Sequence, residues 1–225
     1  SWYRRQRQMC IRDSVFICET EADMLKQFLN LIEDVDVLSG WNSEGYDLPY
    51  MINRVSKVLS KDDTRRFCLW KQLPKKRTFE RYGREQETYD LVGRVHLDSL
   101  ELYRKYTYEE RHSYRLDAIG EHELGETKTV YEGSLDQLYN QDFRKFIEYN
   151  RQDVALLDKL DKKLKFIDLT NELAHANTVL LQTTLGAVAV TEQAIINEAH
   201  RRGLQVPNRP KRDTFCLLYT SDAAD

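Results

Sequence analysis

Apolar residues along the chain fall into two rhythms. Val15-Phe16-Ile17-Cys18 and the β-branched stretch Val35–Trp41 are short apolar runs, which predict buried strands. Between them Ala22, Leu25, Phe28, Leu29 and Ile32 recur at helical spacing. They predict a helix over 19–34, with Thr20 as N-cap and Asp23 three residues on. Leu48, Met51, Ile52, Val55, Val58 and Leu59 predict a second helix over 48–59, and Pro49 is tolerated in its first turn. Segments 77–82 and 85–91 flank Gly83-Arg84 and predict a β-hairpin. Val95–Leu97 reads as a further strand, followed by 98–106. Helices are expected over 113–124, 143–167, 168–181 and 187–202, the last stopped at Gly203 with Pro207 and Pro210 beyond it. Strands with helices first, then helices alone, predict an α/β architecture.

Two aspartates stand out against this pattern. On the 143–167 helix, Phe146, Tyr149, Asn150, Asp153, Leu157, Leu160, Leu164 and Ile167 share one face. Asp153 lies near the centre of that stripe, one turn after Tyr149. An ionised carboxylate there costs several kcal/mol unless it is paired or bound to metal. Asp47 follows a tyrosine too and sits where a buried strand hands over to a helix, where functional carboxylates of α/β folds gather. The plainer roles are a buried ion pair for Asp153 and a helix N-cap for Asp47.

Composition narrows the classes. The 225 residues are 41% hydrophobic and 32% charged, with a net charge of -3. A global polybasic surface is excluded, so nucleic-acid binding would need local patches or metal ions. The run Arg65, Arg66, Lys71, Lys75, Lys76, Arg77, interleaved with Phe67, Trp70 and Phe79, is such a patch. The four cysteines are scattered, with no CxxC pair and no zinc spacing, and a reducing, cytoplasmic setting is the default expectation. Nothing reads as a signal peptide or membrane span. His96, His112, His122, His175 and His200 lack ligand spacing and read as structural or surface residues.

The ends read differently from the middle. Met9-Cys-Ile-Arg-Asp-Ser14 and Cys216-Leu-Leu-Tyr-Thr-Ser221 match translations of opposite strands of one transposon-end sequencing adapter. Segments 1–14 and 216–225 are therefore expected to be adapter artefact. Their four arginines and three aspartates then carry no functional weight.

Asn42-Ser-Glu-Gly-Tyr46-Asp47 resembles the second exonuclease motif of B-family DNA polymerases, and Tyr149-Asn-Arg-Gln-Asp153 resembles their third. Leu97-Asp98-Ser-Leu-Glu-Leu-Tyr103, Ser113-Tyr114-Arg-Leu116-Asp and Leu124-Gly125-Glu-Thr-Lys128 fit between them. The likeness runs from about Val15 to Pro207 and is nearest to polymerases of tailed bacteriophages. It implies an RNase H-like exonuclease fold, incomplete because its early strands are missing, over 15–167. A helical link toward the polymerase palm would follow over 168–215.

The resemblance further implies 3′–5′ proofreading by two-metal hydrolysis at a DNA 3′ end, with two divalent ions, Mg²⁺ or Mn²⁺. Asp47 and Asp153 would be metal ligands and Tyr149 would orient the attacking water. Asn42, Tyr46 and Lys128 would contact DNA, and the hairpin would help hold primer and template strands apart. Partners would be a primer-template and its single-stranded 3′ end. The full-length parent would add dNTP and a replisome sliding clamp, with no membrane, in an infected bacterial host if phage-encoded.

The family's first motif, Asp-x-Glu, occurs nowhere in the chain, and neither do the polymerase motifs. The chain is therefore expected to be inactive by itself. A stand-alone exonuclease of the DEDD type and a degenerate DNA-binding scaffold are the alternative readings.

Overall fold

Helix α1 (Glu21–Leu31) forms because its apolar residues share one face and its start is capped. The Thr20 hydroxyl accepts the Asp23 N–H at 3.1 Å. Leu25 and Leu29 are fully buried, each contributing about 1.5–3 kcal/mol. They pack with Leu48, Ile52 and Val55 of α2 (Asp47–Val58) and with Phe67, Cys68 and Leu91. This cluster anchors α2, and Asp47 is that helix's first residue. The computed structural model describes residues 18–81, 83–125 and 134–208. The expected strand over 15–18, except Cys18, and both adapter-like ends lie outside these residues.

Strand β1 (Val37–Gly40) pairs in parallel with β4 (Val95–Asp98), and Gly40 lies beside Asp98. The hairpin β2 (Lys75–Arg81) and β3 (Arg84–Asp90) is antiparallel. Its pairing ends at Arg81 and Arg84 and its turn holds Gly83 at φ 69°, which suits a residue without Cβ. Hairpin and strand pair form separate sheets among the described residues. Asp98 caps α3 (Ser99–Tyr106) by accepting the Leu100 N–H at 2.9 Å.

Several helix boundaries differ from expectation; the helix expected over 168–181, for one, stops at Asn177. Helix α4 (Leu116–Leu124) begins three residues later than the pattern suggested and ends at Gly125, φ 69°. The short α5 (Leu135–Gln141) was not anticipated. It carries a capping box, in which Ser134 and Gln137 exchange both bonds. Helix α6 (Phe143–Leu164) stops where a continuous helix to Ile167 was expected, because Lys165 turns left-handed at φ 54°. The chain resumes as α7 (Phe166–Asn177), whose Phe166 packs its ring on Tyr103 and Tyr106. Helix α8 (Ala187–Arg201) closes the described fold, and Gly203 after it has φ 68°.

A second core joins Tyr103, Ile119 and Leu160, with Trp41 and Tyr114 packed against it. Gly120 permits the close approach of α4 to α6. A Cβ there would lie 2.8 Å from the buried Leu156 side chain. Leu156 is one turn from Asp153, so this contact helps set where Asp153 stands. The expected stripe of α6 is corrected in two places: Asn150 is exposed and bonds Phe146 O, while Leu156 is buried.

Candidate active site

The loop between β1 and α2 carries the Asn42–Asp47 motif, and a buried carboxylate shapes it. Asp98, 4% exposed, accepts the N–H groups of Asn42, Glu44 and Leu100, each at 2.9 Å. Asn42 sits at φ 58°, a left-handed conformation that asparagine tolerates better than most residues. A structural reason for that asparagine thus exists beside any contact with substrate. The Trp41 indole donates to Tyr114 O at 3.0 Å and ties the loop to the segment preceding α4.

The hairpin grips the same loop. Fully buried Thr88 donates to Glu44 O at 2.9 Å. Arg77 pairs with the Glu44 carboxylate and with Asp90 at 3.0 Å. The hairpin is therefore fastened to the motif.

Asp47 begins α2 as its first helical residue, and Tyr46 holds the cap position. The N-cap role for Asp47 is thereby corrected. Asp47 is exposed as a residue, and partial desolvation of its carboxyl pushes it above its ordinary value; its own backbone N–H opposes this, the charge of Asp98 adds to it, and His96 opposes it. His96 is itself held below its ordinary value by burial, against the pull of Asp98, Glu44 and Asp47. A His96 ring nitrogen and the Ser43 hydroxyl are 2.9 Å apart.

A carboxyl raised on folding is protonated more readily in the native state than in the unfolded chain. Stability then falls as pH rises through that interval. Asp47→Asn is expected to raise the melting temperature at about pH 7.5 in chelator, and the gain should vanish at about pH 3.5. Thermal unfolding at both pH values checks this, and an equal gain at both would contradict it.

Asn42 and Asp153 line one cavity of about 790 Å³, together with Trp41, Gln86, Arg104, Tyr114 and Arg115. Asp153 is half-buried, as is Tyr149 one turn earlier on α6. Asp47 does not line this cavity; its electrostatic neighbours are Asp98 and His96. Among the described residues no group of three or more His, Cys, Asp or Glu is placed to hold a metal. Lys128 lies outside the described residues.

Tyr46 is 63% exposed and stacks on Tyr50, with ring centroids 5.9 Å apart and planes 8° from parallel. Tyr50 was not anticipated as part of the site, although Tyr46 and Tyr50 are four residues apart, the spacing at which helical side chains meet. Four of the six cations in the expected DNA-tracking run have anionic partners. Arg65 pairs with Asp62, Arg66 with Glu33, Lys76 with Glu87 and Arg77 with Glu44 and Asp90.

Residues 3–119 match the family model for the exonuclease domain of DNA polymerase family B. The chain belongs to that family. It is 28% identical over 193 residues to the DNA-directed DNA polymerase of Enterobacteria phage T4, covering 85% of this chain and 21% of that protein. The DNA-directed DNA polymerase of Escherichia phage RB69 is 27% identical over 191 residues, 84% of this chain and 21% of its own length. The DNA polymerase delta catalytic subunit of Bos taurus is 30% identical over 204 residues, 84% of this chain and 18% of its own length. The chain thus spans about a fifth of the curated relatives it matches. In this family B exonuclease domain, no described helix is long and apolar enough to cross a membrane.

Proposed function

We propose that this chain is part of the 3′–5′ proofreading exonuclease of a family B DNA polymerase, with an RNase H-like fold. Residues 168–215 would be its helical link to the polymerase domain, where dNTP and any sliding clamp would be engaged. The observation that carries this reading is the cavity shared by Asn42 and Asp153, which come from separate sequence motifs. The family match supports it.

Asp47 and Asp153 would be ligands for divalent ions. Carboxylate oxygens suit Mg²⁺ or Mn²⁺, and the partial desolvation and Asp98 charge that disfavour a lone Asp47 charge favour a nearby cation. Two such ions, when bound, activate a water and stabilise the leaving 3′ oxygen. The two carboxylates would offer donors to one ion, although Asp47 does not line the cavity that Asp153 lines; a second ion would need the Asp-x-Glu that this sequence lacks. Tyr149 would orient the water through its hydroxyl. Asn42 would hydrogen-bond the terminal nucleotide, and Tyr46 stacked on Tyr50 would offer a face to a base. Lys128 would contact phosphate.

The 225-residue chain is expected to bind a single-stranded oligonucleotide and leave it intact in Mg²⁺. A 5′-labelled oligonucleotide checks both on one preparation, by anisotropy and by gel. Stepwise 3′ shortening would contradict the half-site, and absence of binding at low salt would contradict the DNA-binding role.

A further inference from the structure

Most cations near the motif loop already have anionic partners, as Arg66, Lys76 and Arg77 show. Arg115 is different. It is exposed, it lines the cavity that holds Asn42 and Asp153, and it immediately precedes α4. Among the described residues its guanidinium makes no ion pair and no hydrogen bond. Arg104 in the same cavity is engaged, bonded to Glu101 at 3.3 Å and set 4.7 Å from the Tyr114 ring centre. Asp117, the nearest carboxylate in sequence, accepts the Ala118 N–H at 2.9 Å.

We propose that Arg115 binds a backbone phosphate of the single-stranded DNA entering this cavity. The assignment rests on the proofreading reading above and adds to it the residue that holds the strand. A guanidinium offers paired donors that match phosphate oxygens. With no partner among the described residues to give up, Arg115 is available for that contact. Its charge also lies where the motif residues are, whereas four of the six cations of the 65–77 run are engaged by carboxylates.

The test is anisotropy of a 5′-fluorescein oligothymidylate of about eight nucleotides, a single-strand site size, titrated with the 225-residue chain over a series of KCl concentrations. Arg115→Ala should weaken binding about five- to tenfold and flatten the plot of log K against log salt by about 0.7, one phosphate's share for a single strand. Arg115→Lys should restore the slope. Arg66→Ala, which removes a paired charge, should leave it unchanged. The proposal is overturned if the wild type binds while Arg115→Ala keeps the full slope, or if Arg66→Ala flattens it equally. Failure of the wild type to bind at all would instead remove the proofreading reading, and this assignment with it.

Discussion

Replacing Asp98 by alanine is expected to lower the free energy of unfolding by about 3–5 kcal/mol, a loss typical of a buried charged group that served several donors. Asp98 accepts three backbone N–H groups at 2.9 Å, from Asn42, Glu44 and Leu100. Bonds to a charged acceptor contribute about 1.5–3 kcal/mol each, and water admitted to the hole would recover part of the sum. Asp98→Asn is the sharper variant. Its amide keeps the volume, but its NH₂ must face one of the three donors, so it should lose more than a neutral surface change would. Urea unfolding followed by circular dichroism measures both. A loss below about 1 kcal/mol for alanine would show that the loop is held by other contacts.

Arg94→Ala should be comparably damaging, about 3–5 kcal/mol. Arg94 is 2% exposed and is the largest fully buried side chain among the described residues. It donates to Arg66 O at 3.1 Å, Phe67 O at 3.2 Å and Glu33 O at 3.0 Å. It thereby ties β4 to the end of α1 and to the turn at 63–67. Burial lowers its pKa, while Cys68, Asp36 and Glu33 pull the other way. Arg94→Met separates the two contributions, because it fills the space and offers no donor. If the hydrogen bonds matter, methionine should still lose about 1–2 kcal/mol. A methionine variant as stable as the wild type would mean that burying this charge cancels its bonds.

Arg94 immediately precedes β4 and Asp98 ends it, and neither stood out in the sequence. Their partners are backbone groups of distant segments, which only the folded chain brings near. Asp98 had one readable sign: Asp98-Ser-Leu-Glu101 is a capping-box pattern. The helices on either side of the site were legible because their apolar stripes are regular, and Thr20 and Gly203 punctuate as their chemistry dictates. The break at Lys165 was not, since lysine rarely adopts φ 54° and the apolar stripe runs on past it. The partners of the 65–77 patch were hidden for a related reason. Arg66, Lys76 and Arg77 are paired by Glu33, Glu44, Glu87 and Asp90, all four of which lie outside the run. Asp47 and Asp153 were legible as residues out of place. The Asp47 environment, set by Asp98 and His96, required the fold.

Mn²⁺ titration followed by electron paramagnetic resonance tests most directly whether Asp47 and Asp153 serve one ion site. The 225-residue chain should bind one Mn²⁺ with a Kd of about 0.1–1 mM, as suits few carboxylate ligands. Asp47→Asn and Asp153→Asn should each weaken it at least about tenfold, since even outer partners of a metal cost that much. Binding that survives either substitution unchanged would contradict a shared site.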